Sequence, residues 1–242
     1  MKIISPLFIM MLSLSSCVFL NSDETSIGPG ENGQGDTITI ERNLKGFSEV
    51  SADGIINLKV KQGEWAPIKI KAEENLMDLI HTEVKGDVLK IWTDRKLKKT
   101  KGITVWVTAP DFNKLTISGA SNLDTENTIQ GDKIKFSISG AGDLNAMIDM
   151  DHVESRISGA GSANLSGKTG TLESEISGSG SVKSFKLTAN QVKLDISGAG
   201  SAQVHAVEEL DVSVSGAGSV KYRGNPKISK SISGAASIKK DA

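Results

Sequence analysis

Cysteine is almost missing from this chain of 242 residues: Cys17 is the only one. A single thiol closes no intramolecular disulfide, so backbone hydrogen bonding and packing must hold the fold together. Aromatic residues make up 4% of the chain against 38% for all hydrophobics, so the core must be built from aliphatic side chains. A surplus of either charge is also lacking. Twenty-eight basic and 29 acidic residues leave a formal net charge of -1, which favours neither nucleic acid nor an anionic bilayer as a partner. No segment beyond the N-terminus approaches the roughly 18 consecutive apolar residues of a membrane-spanning helix. The three histidines, His81, His152 and His205, lie far apart and outside any HExxH or CxxC spacing, so neither a metal nor another cofactor is expected. Despite the wealth of Ser and Gly, no G-x-S-x-G elbow occurs, which leaves a serine hydrolase unsupported. Glycine is the residue in surplus, 25 against five prolines. Set among alternating Ser, Thr, Ile and Val, it points to short strands and tight turns, an all-β chain.

The N-terminus, MKIISPLFIMMLSLSSC, has one basic residue at Lys2, an apolar stretch from Ile3 to Leu14 and small residues before Cys17. Residues 1–16 read as an export signal. Leu14-Ser15-Ser16-Cys17 resembles the lipobox of bacterial lipoproteins, in which the cysteine carries the lipid. Several acyl chains on one residue anchor durably, since each buried methylene contributes about 0.8 kcal/mol. Residues 17–36, rich in Gly, Ser, Asn and acidic side chains without periodicity, read as a flexible tether, and the folded body is expected to start near Thr37.

From Ser118 onward the chain repeats. Ser118, Ser139, Ser158, Ser177, Ser197, Ser215 and Ser233 each open an SG pair, at steps of 21, 19, 19, 20, 18 and 18 residues. A period near nineteen is the signature of a stacked solenoid. The residue before each serine, Ile117, Ile138, Ile157, Ile176, Ile196, Val214 or Ile232, is apolar and β-branched, and the same parity continues upstream, as in Val192-Leu194-Ile196. A period of two rather than 3.6 decides for strand. A second apolar column, Leu123, Leu144, Ala163, Val182, Ala202, Val220 and Ile238, follows five residues after each serine. The corner between these strands is assigned to Gly119, Gly140, Gly142, Gly159, Gly161, Gly178, Gly180, Gly198, Gly200, Gly216, Gly218 and Gly234. A sharp bend needs unusual φ or close approach between coils, which glycine tolerates. The alanines after the first glycine are expected to fill scarce space, and the serines to stack coil upon coil and hydrogen-bond one another or corner backbone groups. A phosphate cradle would need a helix after the glycines, whereas here a strand follows. Calcium-binding nonapeptide turns would need an Asp in every copy, but only Asp143 fits, with Ser162, Ser181, Ser201 and Ser219 at the same place later.

Residues 37–113 form a β-rich first part, either continuing or capping the repeats of 114–242. One short run, AEENLMDLIHTEV, carries Leu76, Leu79 and Ile80 at helical spacing and predicts a turn or two of helix. Trp92 and Trp106 stand within alternating strands and are read as packing residues. The basic run KLKKTK, Lys96 to Lys101, is read as a solvated hairpin tip.

The order ERNLKGFSEVSADGIINLKVKQGE, AEENLMDLIHTEVKGDVLKIWTD, ITVWVTAPDFNKLTISGAS and then the SGAGS copies resembles the putative auto-transporter adhesin, head GIN domain family. Arg42, Gly46, Phe47 and Val50 match its opening, and Pro110, Leu115, Ser118 and Gly119 match the entry into its repeats. The resemblance implies a right-handed parallel β-helix-like solenoid and an adhesin role. It also implies a secreted or lipid-anchored bacterial protein, here placed at the outer membrane of a Gram-negative cell. The family supplies no catalytic or binding residue to carry over.

Among polar positions, one cluster stands out as a candidate ligand face: Asn122, Asp124, Asp143, Asn145 and Asn164, just past the corners of neighbouring coils. Asn and Asp also favour such places for solvation alone. Three readings follow. The first is a non-catalytic envelope lipoprotein, an adhesin or interaction module held to the membrane through Cys17 and binding a protein or glycan. The second is a carbohydrate-active lyase or hydrolase that uses carboxylates in register. The third is a structural envelope scaffold, for which a homo-oligomer stays open although Lys227, Lys230, Lys239 and Lys240 in the last coil discourage open-ended stacking.

Overall fold

The computed structural model describes residues 30–241. The export signal, Cys17 and most of the tether lie outside these residues. Alternation of apolar and polar side chains runs through nearly every strand. In β7 (Ile103–Ala109) each odd-numbered residue is buried and each even-numbered one half-exposed, the pattern that period-two sequence dictates for a strand with one face on a core.

The repeats form the solenoid. Strands β8 (Lys114–Gly119) and β9 (Asn122–Thr125) make one rung. The long bent strands β10 (Ile129–Gly140), β11 (Asp143–Gly159), β12 (Ser162–Gly178), β13 (Ser181–Gly198) and β14 (Ser201–Gly216) follow in chain order. The last rung segments are β15 (Ser219–Arg223), β16 (Lys227–Gly234) and β17 (Ser237–Lys240). All pairing from β8 onward is parallel, with each SG pair in register with the next: Ser158 pairs with Ser177 and Gly159 with Gly178, for example. The inward columns are continuous aliphatic stacks. Ile117, Ile138, Ile157, Ile176, Ile196 and Val214 are all at most 3% exposed, and so are Leu123, Leu144, Ala163, Val182, Ala202 and Val220.

The first third belongs to the same sheet, in an order the sequence does not announce. Strands β2 (Glu49–Gly54) and β3 (Ile56–Gln62) pair in parallel with β8 and β9 across 65 residues. On their other side they pair in parallel with β6 (Val88–Thr93) and β7. The chain thus lays down the second rung from the end, then the end rung, and returns over the first of these to begin the repeats. Gly54 pairs with Gly119 and has φ +125°, so SADGI is a degenerate copy of the corner.

A parallel stack cannot finish its own edge, and antiparallel strands do so at the N-terminal end. β4 (Ile68–Glu73) lies antiparallel on β7, β1 (Thr37–Arg42) on β4, and β5 (Ile80–Lys85) on β6. The helical expectation for AEENLMDLIHTEV resolves into a 3-10 helix, Glu74–Leu79, running straight into β5, with Leu76 and Met77 buried. Arg42 fastens the cap: its guanidinium donates to Thr82 Oγ1 at 2.9 Å and to the Ile80 carbonyl at 2.8 Å, and burial lowers its pKa. Phe47 packs edge-on against Trp65 with ring centroids 4.9 Å apart, closing the core beneath the cap.

Four details depart from the sequence reading. The corner alanines, Ala120, Ala141, Ala160, Ala199, Ala217 and Ala235, are exposed, not wedged into scarce space. The crowding falls on the second glycine instead: Gly142, Gly161, Gly180, Gly200 and Gly218 are buried. A Cβ on Gly161 would lie 2.6 Å from both the Gly142 carbonyl oxygen and the Ile138 Cγ2. Among the described residues no corner serine bonds another through its hydroxyl: Ser118 donates across one rung to Asp53 at 2.7 Å, and the later corners are joined through the backbone, as Ala199 N to Gly178 O at 2.8 Å. The KLKKTK run is not a hairpin tip, because β6 and β7 occupy different columns of the stack. Leu97 within it is buried, and residues 31–33 dock on it through Glu31 N to Lys96 O and Gly33 N to Lys99 O. Ordered backbone therefore begins ahead of Thr37.

Candidate functional site

The register of β9, β11 and β12 sets the five polar candidates side by side. In each rung from β9 to β15 the residue after the corner and the one two further on point outward, with a buried Leu, Ala or Val between them. Asn122 and Asp143 belong to the first outward column, which continues as Ser162, Ser181, Ser201, Ser219 and Ser237. Asp124, Asn145 and Asn164 belong to the second, which continues as Lys183, Gln203, Lys221 and Lys239 and is preceded by Lys59 of β3 and Trp106 of β7.

Side chains in both columns are hydrogen-bonded along the rod axis. Asn122 Nδ2 donates to Asn57 Oδ1 at 3.2 Å, the Asp143 backbone N–H donates to Asn122 Oδ1 at 3.1 Å, and Ser162 Oγ donates to Asp143. In the second column Lys59 Nζ meets Asp124 at 2.7 Å, Asn145 Nδ2 donates to Asp124 at 2.7 Å, and Asn164 Nδ2 donates to Asn145 Oδ1 at 2.9 Å. Successive rungs stand about 4.8 Å apart, within reach of one amide to the next, which is why such ladders form on parallel stacks.

Beside the second column runs a groove of about 550 Å³, a size common for small-molecule sites. Asp124, Asn145, Asn164, Lys183 and Gln203 form one wall. Met147, Ser166, Phe185, Lys186 and Arg223 stand along the other, above a floor that includes Ala146 and Leu165. Asn122 and Asp143 do not line it.

The second wall escapes the repeat pattern, and the cause is local. Asn164 pairs with Lys183 but Ser166 with Lys186, so β13 carries an extra residue against β12, and a further irregularity separates it from β14 between Ser184 and Thr188. Such bulges re-aim side chains and bend a strand. Here Ser184 stays fully buried and donates to the Gln203 carbonyl at 2.9 Å, while Phe185 emerges half-buried with the Arg223 guanidinium 4.2 Å from its ring centroid. The signal was present in the sequence: the step from Ser177 to Ser197 is 20 residues, and the inward parity breaks between Val182-x-Ser184 and Leu187-x-Ala189.

Charge in the groove is mostly positive. Asp124 is neutralised by Lys59, and Arg223 is held by Asp241 at 2.7 Å, but among the described residues no carboxylate stands within ion-pair distance of Lys183 or Lys186. On the other strand of the rungs lies a second charged cluster, where Glu154 receives Lys135 at 2.9 Å and Arg156 at 2.8 Å with Lys133 at 3.9 Å. The hydrogen bond from Lys135 holds the Glu154 carboxyl below its ordinary pKa, against the opposing effect of burial and with help from the three cationic charges. Every charge in this cluster has a partner, which marks it as a bracing network. His81, at the cap, bonds Asp94 at 2.6 Å and stacks on Trp92, whereas Trp106 stands half-buried in an outward position of β7. Among the described residues no group of His, Cys, Asp and Glu is disposed to hold a metal ion, and no helix is long and apolar enough to cross a membrane.

Comparison with known proteins places this architecture. A putative adhesin from Bacteroides fragilis superposes with a TM-score of 0.80 at 25% identity, over 88% of this chain and all of that one. A structure from Parabacteroides distasonis described as a putative lipid binding protein gives 0.76 at 22% identity, over 88% of this chain and all of that one. A putative adhesin from Parabacteroides merdae gives 0.67 at 22%, over 88% and 99% of the two chains. At the lower identities the likeness speaks for the fold alone. No functionally curated protein matches the chain. Residues 46–226, from just ahead of β2 to the turn between β15 and β16, match a family profile, and on that match the chain belongs to the putative auto-transporter adhesin, head GIN domain family.

Proposed function

We propose that the protein is a non-catalytic interaction module of the cell envelope, an adhesin whose rigid solenoid presents one polar outward face to a ligand. The observation that carries this reading is the ladder from Lys59 through Asp124 and Asn145 to Asn164 beside a groove broken open by the β13 bulge. Membership of an adhesin family supports it. A ladder of hydrogen-bonded side chains on a parallel stack is pre-organised, so binding to it orders little that is not already ordered. Lipid attachment at Cys17, export to the outer membrane and display from a short tether complete the proposal and rest on the N-terminal sequence.

The carbohydrate-active alternative needs a carboxylate pair free to trade protons. Asp124 is committed to Lys59 and Asn145, and Asp143 to Ser162. The deciding experiment applies the purified protein to a glycan array and to extracellular-matrix proteins while the supernatant is assayed for released sugar. Saturable binding without product is expected. Unsaturated or reducing-end products would overturn the reading in favour of the enzyme, and no binding on either surface would overturn it in favour of a scaffold.

A further inference from the structure

The groove has a shape, a lining and a charge that together name a class of ligand. Its length runs along the rod axis. From Asp124 on β9 through Asn145, Asn164, Lys183 and Gln203 to Arg223 on β15 it crosses six successive rungs, five steps of about 4.8 Å, or roughly 24 Å. A long, shallow trough suits a linear chain better than a compact molecule. The rung spacing is close to the length of one pyranose unit, so successive sugars would meet equivalent positions of successive rungs.

The lining supplies three kinds of contact. Asn145, Asn164 and Gln203 present carboxamides, each with donor and acceptor capacity, at the spacing of the rungs. The bonds along the ladder use one N–H of Asn145 and one of Asn164, which leaves the second N–H of each for hydroxyl groups. Phe185 is the one aromatic ring lining the groove, lifted there by the bulge in a chain with few rings to spare, and with Met147, 41% exposed, it gives an apolar surface for the C–H face of a sugar. Lys183 and Lys186 bring two cations that no described carboxylate neutralises, within 550 Å³ that hold only one carboxylate, itself tied to Lys59. A neutral glycan would leave both ammonium groups without a counter-charge, whereas one bearing carboxylates or sulfates provides it.

We infer that the groove beside β11 to β14 binds a linear acidic oligosaccharide, laid along the rod axis with its charged groups at Lys183 and Lys186 and a ring against Phe185. The inference rests on the interaction-module reading and narrows it to one ligand chemistry. The irregular β13 then has a purpose the regular rungs lack: without the extra residue, Phe185 and Lys186 could not both stand at the groove.

The test titrates the full-length protein with a hexamer of galacturonate, its fully methyl-esterified counterpart and a heparin hexasaccharide, by calorimetry at two salt concentrations. Saturable binding of at least one acidic hexamer is expected, weakening as salt rises. The neutral ester should bind at least tenfold more weakly than the free galacturonate if the carboxylated ligand is the one bound. The double variant Lys183→Ala/Lys186→Ala, altered only at exposed side chains, should lose at least tenfold in affinity with unchanged thermal stability, and Phe185→Leu should lose affinity for the sugar without changing the salt dependence. Absence of binding to both acidic hexamers, or full binding by the double variant, overturns the inference. So does loss in that variant of binding to phosphatidylglycerol vesicles alone. Retention of the double variant on the glycan and matrix surfaces used above would sink the groove while leaving the adhesin reading standing, so the two failures are separable.

Discussion

At the scale of single residues, the corner glycines are not interchangeable with the small residues beside them. Gly198 has φ +110°, and a Cβ there would lie 2.6 Å from the Gly178 carbonyl oxygen, which itself accepts the Ala199 N–H at 2.8 Å. Gly198→Val therefore combines a left-handed backbone with a collision against a neighbouring rung, and a loss of several kcal/mol is expected in chemical denaturation. Asp143→Ala, at an exposed site whose carboxylate accepts one serine hydroxyl, should change stability by no more than about 0.5 kcal/mol. Equal denaturation midpoints for the two variants would contradict the corner mechanism. Inside the core the opposite kind of site occurs. Ser155 and Ser174 stack in an inward column between Phe136 and Leu194, and among the described residues neither hydroxyl has a hydrogen-bond partner. Burying an unpaired hydroxyl costs about 1–3 kcal/mol, so Ser174→Ala should raise the denaturation midpoint, and a lowered midpoint would show that the hydroxyl has a partner in solution.

Between strands, the charges that brace the rungs carry a pH signature. Glu154 is pulled below its ordinary pKa chiefly by the hydrogen bond from Lys135, and Glu73 also lies below. Burial alone would raise Glu73. The bonds it accepts from Lys101 N at 2.6 Å and Thr100 Oγ1 at 2.7 Å reverse that effect and tie the β6–β7 connection to the cap. Both carboxyls titrate lower in the folded than in the unfolded protein. Their stabilisation is thus present above the unfolded carboxylate pKa of about 4.3 and is lost as pH falls through the folded values. The melting temperature of wild type should exceed that of Glu154→Gln at neutral pH, with the gap closing in acid. A gap independent of pH would mean that shape, not charge, holds the Lys135–Glu154–Arg156 cluster.

Across the whole molecule, the two ends of the rod differ. Antiparallel β1, β4 and β5 cover the N-terminal rung, whereas β16 is exposed throughout, with Ile228 and Ile232 at 40% and 43% exposure. Between these two, in the inward column continued from Leu194 and Val212, stands Lys230. An inward-pointing charge on an open edge is a known guard against end-to-end pairing, because a second rod stacked there would have to bury the ammonium. Lys230→Val restores the aliphatic column and should produce concentration-dependent self-association in sedimentation experiments. Unchanged sedimentation would locate the guard elsewhere, in Lys227, Lys239 or Lys240.

The solenoid was legible from the chain alone because parallel coils repeat the same environment, and the same environment selects the same residue types at the same spacing. Ile117 to Ile232 and the SG pairs needed no structure to be read as columns and corners. Asp124, Asn145 and Asn164 could likewise be placed in one line, since a regular register converts period into position. The third dimension decided where that regularity fails. The rung formed by β2 and β3 lies between β7 and β9 through pairings 47 and 65 residues apart, a relation that no local period encodes. Leu97 left a basic run to be buried because segment 31–33 pairs with it from a distance. The groove wall of Phe185, Lys186 and Arg223 arises where β13 slips out of step with β12 and β14. Local periodicity sets which face of a strand is apolar, but long-range hydrogen bonding sets which strands meet, and here it is the departure from the repeat that makes one stretch of an otherwise uniform surface different from the rest.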